Sequence, residues 1–202
     1  MDTYITKNDL TKYIQKNTLS ELTNGRKAMG GEPAVAGTDT IWQNLIPTAL
    51  ETVNGFTRHW YDMDKETRKV SLFDDNLNHL ENERLYIVDG QTGENTLYLC
   101  IKDAPAATLI TDTEFFEQKD DRNPILVEIT CLLLIHNLSR RGNPRQIPEQ
   151  RIFDYDNAIS RLKEIQKGIV CLDIPTRENT APNDAGQSFI HGSFNIETTD
   201  IY

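Results

Sequence analysis

Residues that commonly do chemistry are scarce in this chain and scattered along it. The three cysteines (Cys100, Cys131, Cys171) and four histidines (His59, His79, His136, His191) nowhere adopt the short spacings that hold zinc or run a redox pair. No Gly-x-Ser-x-Gly turn presents a serine nucleophile, and no HExxH helix is written. Gly30-Gly31 lacks the lysine and hydroxyl that complete a phosphate-binding loop. The cysteines therefore read as reduced, buried thiols, and His136, inside an apolar run, as a hydrogen-bonded core residue. Neither a cofactor nor a metal is expected. Basic charge is also in deficit: 21 lysines and arginines face 31 acidic residues, for a net charge of −10 and a pI near 4.9. That balance argues against nucleic-acid binding through a broad basic face, yet it suits a wall past which a duplex slides without sticking. Long apolar runs are missing too. None reaches membrane length, and MDTYITKNDL lacks the basic and apolar parts of a signal peptide. Synthesis and folding in the cytosol, with no membrane contact, are expected.

What is present is organised around residues 120–175. Asn123 is a good N-cap and Pro124 suits a first helical position. From Ile125 to Leu138 apolar residues follow almost without a break, the pattern of a helix buried on nearly every side. Pro148 and Gly168 bracket a second helix, in which Ile152, Tyr155, Ile159, Leu162 and Ile165 form one apolar stripe. Together these predict an αα-hairpin whose core other helices must complete.

Upstream, Thr6 and Asp9 resemble a capping box for a short helix carrying Leu10, Tyr13 and Ile14, and a second short piece covers Leu19 to Leu22. Residues 24–38 are glycine-rich and read as a mobile loop. Residues 38–62 predict a long helix with Pro47 as a kink or a late start, and with Phe56, Trp60 and Tyr61 as core and hinge packing. Residues 69–73, 84–88 and 96–101 alternate as strands do, with 107–110 as a fourth. The loop 89–95 suits a hairpin, and Asp112 to Phe116 a capped turn. The expected fold is mainly α: a small bundle of about four helices with an inserted antiparallel β-subdomain and an extended C-terminal tail. Its parts are 1–62 (N-terminal helices), 63–119 (β-rich insertion), 120–175 (hairpin) and 176–202 (tail). Phe189, Ile190, Phe194, Ile196, Ile201 and Tyr202 give the polar tail a few apolar anchors for docking on a partner.

Two clusters bear on chemistry. Asp62, Asp64, Asp74, Asp75, Glu81 and Glu83 could bind Mg²⁺ as a nuclease does, or form a solvated acidic rim. Arg140, Arg141 and Arg145 suit a helix C-terminus or an acidic patch on a neighbouring subunit. By its residues the chain is an interaction protein.

The order of certain motifs is distinctive: Tyr4-Ile5-Thr6, Trp60-Tyr61-Asp62, Asp121-Arg122-Asn123-Pro124, Asn143-Pro144-Arg145, Ile147-Pro148-Glu149, then Arg151 with Tyr155-Asp156-Asn157-Ala158, and Gly192-Ser193. In this order it resembles the Mu-like phage neck family, in the longer form of phages of Bacteroides-type hosts. Compact members of that family lack so long an insertion. The resemblance implies a non-enzymatic head–tail connector of the virion neck, assembled in the host cytoplasm. Such proteins form a ring, commonly a dodecamer, below the portal protein. The ring extends the DNA conduit without binding DNA specifically and is the platform for downstream neck or tail proteins. On this reading Phe189, Ile190, Phe194, Ile196 and Tyr202 meet the portal, and Arg140, Arg141 and Arg145 lie between subunits. A metal-dependent nuclease using Asp74, Asp75 and Glu83, and a monomeric cytosolic adaptor, are the alternatives.

Overall fold

The computed structural model describes residues 4–24, 40–90, 94–142, 145 and 147–177. Six helices and four strands lie among them. α1 (Lys7–Thr11), α2 (Lys16–Asn24), α3 (Thr40–Thr57), α5 (Pro124–Gly142) and α6 (Glu149–Gln166) build a helical body. α4 (Met63–Glu66) leads out of it into a sheet of β1 (Val70–Leu72), β2 (Arg84–Val88), β3 (Asn95–Cys100) and β4 (Phe116–Glu117).

α5 is the axis of the body, packing against α1, α2, α3 and α6. This is why its sequence is apolar on every side. Asn123 starts it as expected: its Oδ1 accepts from the amides of Ile125 (3.1 Å) and Leu126 (3.3 Å). Leu126, Ile129, Leu133, Leu134 and Leu138 are then fully enclosed. α6 runs back along α5, with Tyr155 stacked on His136 at 4.2 Å and Arg161 paired to Glu128 at 3.1 Å. It ends at Gly168, whose φ of +71° is the left-handed cap geometry that glycine adopts without strain. The predicted stripe of α6 needs one change. Ile152 is exposed, and Ala158, deep in the contact, takes the central place.

Four other expectations are corrected. α3 ends at Thr57 instead of continuing to residue 62, and Pro47 lies inside it rather than at its start. Thr57 bonds back to the Val53 carbonyl through its hydroxyl (2.9 Å), and the chain then turns so that Tyr61 bridges Thr176. The sheet is mixed, not antiparallel, because β1 pairs parallel to β2. A parallel neighbour cannot be reached by a tight hairpin, and residues 73–83 supply the crossover. Residues 107–110 form turns rather than a strand: Ala107 has φ +67° and donates to the Asp75 carbonyl. The strand partner of β3 is instead Phe116–Glu117, since the Asp112 turn delivers Phe116 opposite Cys100. Cys100 and Cys131 are buried thiols, whereas Cys171 is exposed. The β2–β3 hairpin pairs Val88 with Asn95.

The sheet has its own small core of Leu85, Cys100, Ala104 and Phe116. It is closed on one face by the crossover, where His79 stacks on Phe73 (5.1 Å) and exchanges backbone bonds with Ala104.

Candidate functional site

Body and sheet meet at a buried set of charges that the sequence reading did not foresee. Arg122, just before α5, is completely enclosed and satisfied by two carboxylates. Its Nη1 donates to Asp9 Oδ2 and to the Tyr4 carbonyl (both 2.8 Å), while Nε and Nη2 donate to the two oxygens of Asp120 (2.8 Å each). Asp9 is also the acidic half of the capping box of α1, accepting from the Thr6 amide at 2.9 Å. One carboxylate thus caps α1 and fastens it to the start of α5. Burial alone raises the Asp9 carboxyl; the hydrogen bonds and charge of Arg122, with the Thr6 bonds, outweigh it and hold Asp9 below its ordinary value.

Glu66, at the end of α4, is the second node. Its Oε1 accepts from the Tyr4 hydroxyl (2.9 Å) and from the Asn123 amide (2.7 Å). Arg84, at the start of β2, reaches from the sheet to Asp121 with two bonds of 2.6 and 3.1 Å, donates to the Glu66 carbonyl and lies 3.7 Å from the Glu66 carboxylate. Burial, then the charge and hydrogen bond of Glu66, push the Tyr4 phenol far up, so it remains a neutral donor. Paired and hydrogen-bonded throughout, such a set orients the parts it joins.

A second seam lies where the chain leaves α6. The Tyr61 hydroxyl accepts from the Leu172 amide (2.9 Å), and Trp60 Nε1 donates to the Gln166 carbonyl (2.9 Å). The Asp62 and Arg177 amides bond to Pro175 and Trp60 carbonyls, both at 3.0 Å. The aromatic pair is therefore packing plus a clasp on the segment that ends at residue 177. Motifs noted far apart in the sequence, Tyr4 to Thr6, Trp60 to Asp62 and Asp121 to Pro124, come together at these two seams.

The acidic residues considered for a metal are dispersed. Asp62 pairs with Lys65 (3.1 Å), and Glu83 faces His79 (3.2 Å). Asn76 donates from backbone and side chain to Asp74, and these bonds hold the Asp74 carboxyl below its usual range. No group of three His, Cys, Asp or Glu able to hold a metal exists among the described residues. His136 is half-buried rather than a core residue; it shares a side-chain hydrogen bond with Asn137, while its Nδ1 finds no partner among the described residues. A groove between Tyr13, α5 and α6 is polar, and its ion pairs, Arg151 with Asp154 and Arg161 with Glu128, are internal.

Two surfaces are left open. Arg140, Arg141 and Arg145 are exposed at the corner between α5 and α6, and Ile152 and Phe153 stand exposed beside them. On the sheet, Leu72 and Leu109 flank a shallow groove walled partly by Asp74 and Asp75. Phe189, Ile190, Phe194, Ile196 and Tyr202 lie outside the described residues. No helix among the described residues is long and apolar enough to cross a membrane.

A family model described as Bacteriophage Mu, Gp36 matches residues 120–191. The match takes in Arg122, α5, the arginine corner and α6. It supports a phage protein of Mu-like type. No curated protein and no solved structure matches the chain.

Proposed function

We propose that the chain is a structural virion protein of a tailed phage: a head–tail connector that forms a ring below the portal, extends the DNA conduit and receives the next neck or tail protein. The observation that carries this reading is the match of a Mu phage family to the α5–α6 hairpin, the scaffold around which the rest of the body packs. The division of the surface supports it. The body closes its own core, while charged and apolar side chains are exposed at the arginine corner and on the sheet, as a protein that assembles with others requires. A net charge of −10 suits a lumen that DNA traverses without adhering. The segment beyond Arg177, with Phe189, Ile190, Phe194, Ile196 and Tyr202, docks on the portal in this reading.

Deleting the gene from the phage tests it. Full heads without attached tails are expected, with the chain found by mass spectrometry in intact wild-type particles. Tailed, infectious particles formed without the protein would overturn the reading.

A further inference from the structure

Exposed apolar residues stand in two places that differ in charge. Leu72 and Leu109 are 56% and 66% exposed on the groove beside Asp74 and Asp75. The surrounding insertion, residues 63–119, carries twelve acidic side chains against six basic ones. Phe153 is 61% exposed on the first turn of α6. There residues 140–151 hold four arginines and one glutamate, and no carboxylate among the described residues pairs with Arg140, Arg141 or Arg145.

α5 keeps the two places apart. The sheet is tied to its first turn through Arg84, Asp121, Glu66 and Asn123. The corner sits at its last turn, 19 residues on, which is about 28 Å of rigid helix. Within one chain the basic apolar corner therefore cannot reach the acidic apolar groove. Between two chains it can, and each copy then has one of each to offer.

We propose that the Arg140/Arg141/Phe153 corner of one copy docks in the Leu72/Leu109/Asp74/Asp75 groove of the next. The proposal rests on the ring reading above and names the surfaces that would make the ring. Joining unlike patches gives a head-to-tail contact, which repeats until rotation closes it. A symmetric contact would instead set arginine against arginine or aspartate against aspartate. Because exposed charges are screened over about 10 Å at 0.1 M salt, association weakens as salt is added.

The test is charge exchange in the full chain, followed by sedimentation velocity over a concentration series at low salt. The wild type is expected to self-associate. R140E/R141E and D74K/D75K should each weaken association at least tenfold while circular dichroism stays unchanged, since all four side chains are exposed. Mixing the two variants in equal amounts should restore association, because each supplies the patch the other lacks and the altered patches are themselves complementary. Phe153→Asp should weaken it as well, and adding D74K/D75K to the same Phe153→Asp chain should not restore it. A wild type that stays monomeric up to its solubility limit, association indifferent to both charge variants, or a mixture no stronger than its components would each overturn the proposal. The virion reading is judged separately. If the chain is present in particles while association ignores these substitutions, the interface is lost and that reading stands.

Discussion

The helical body and the sheet solve the same burial problem in opposite ways. In the body a single helix, α5, is surrounded by four others, and residues from Tyr4 to Leu172 join one apolar cluster. Among the described residues of the sheet, Leu85, Cys100, Ala104 and Phe116 form a buried cluster, and leucines remain exposed around it. The body is held by area removed from water. The sheet is placed by ion pairs and hydrogen bonds at its root, Arg84 with Asp121 and Glu66 with Asn123. The rigid part of the molecule is thus its dry half, while the surfaces open to partners sit at the far corner and on the half with little core of its own.

Arg122→Met strikes where the two halves meet and should have the largest effect. It strands Asp9 in a site only 2% exposed, and losing one partner of a buried pair costs about 3–5 kcal/mol, read as a lower urea midpoint at pH 7. The same variant should alter the acid limb of stability. Asp9 titrates lower in the folded protein than in the unfolded chain, where an aspartate takes up its proton near pH ~3.9. Its contribution is therefore complete above that pH and is lost as pH falls through the lower folded value. Removing Arg122 should shrink that acid-side loss, and an unchanged acid limb would refute the coupling.

Leu134→Ala, at the centre of α5, should cost about 2–5 kcal/mol, whereas Leu109→Ala on the sheet should stay within about 0.5 kcal/mol. Equal losses in chemical denaturation would break the contrast between the halves. Asp121→Ala should cost less, about 1.5–3 kcal/mol for hydrogen bonds to a charged group, and its loss should be local. Amide exchange is expected to quicken in residues 63–119 while α3, α5 and α6 stay protected. Uniform acceleration would mean that the sheet is integral to the body. Gly168→Ala is the smallest: a non-glycine residue at φ +71° costs about 1 kcal/mol, with no effect on the sheet, and a neutral thermal melt would contradict the cap.

What the sequence disclosed follows from how local each cause is. The Asn123 cap, the Thr6–Asp9 box, the Gly168 stop and the β2–β3 hairpin depend on neighbours a few residues apart, and all are found. The charge junction joins Asp9 to Arg122 and Glu66 to Asn123, 113 and 57 residues apart, and no periodicity encodes such a pairing. Its one sequence trace was an arginine set directly before a buried helix. The parallel β1–β2 pairing was missed for the same reason, since strand propensity is silent on direction. Ile152 fits the helical stripe but sits on the first turn of α6, where it stays exposed. Of the open surfaces, the arginines were legible as a cluster, while the groove beside Leu72 and Leu109 exists only once the crossover has folded.

The bond from the Asn123 amide to Glu66 Oε1, 2.7 Å long, has a further consequence. The chain leaves the body after Glu66 and returns to it at Asp120–Asn123, so residues 67 to 119 are a closed loop as far as the body is concerned. The entropy of closing a loop grows only with the logarithm of its length, about 0.6 kcal/mol for each doubling. The span between Glu66 and Asp120 can therefore lengthen, shorten or be replaced at little cost to the helices that hold its ends, provided the ends still meet. A lineage built on this hairpin is free to change what it grips without relearning how to fold.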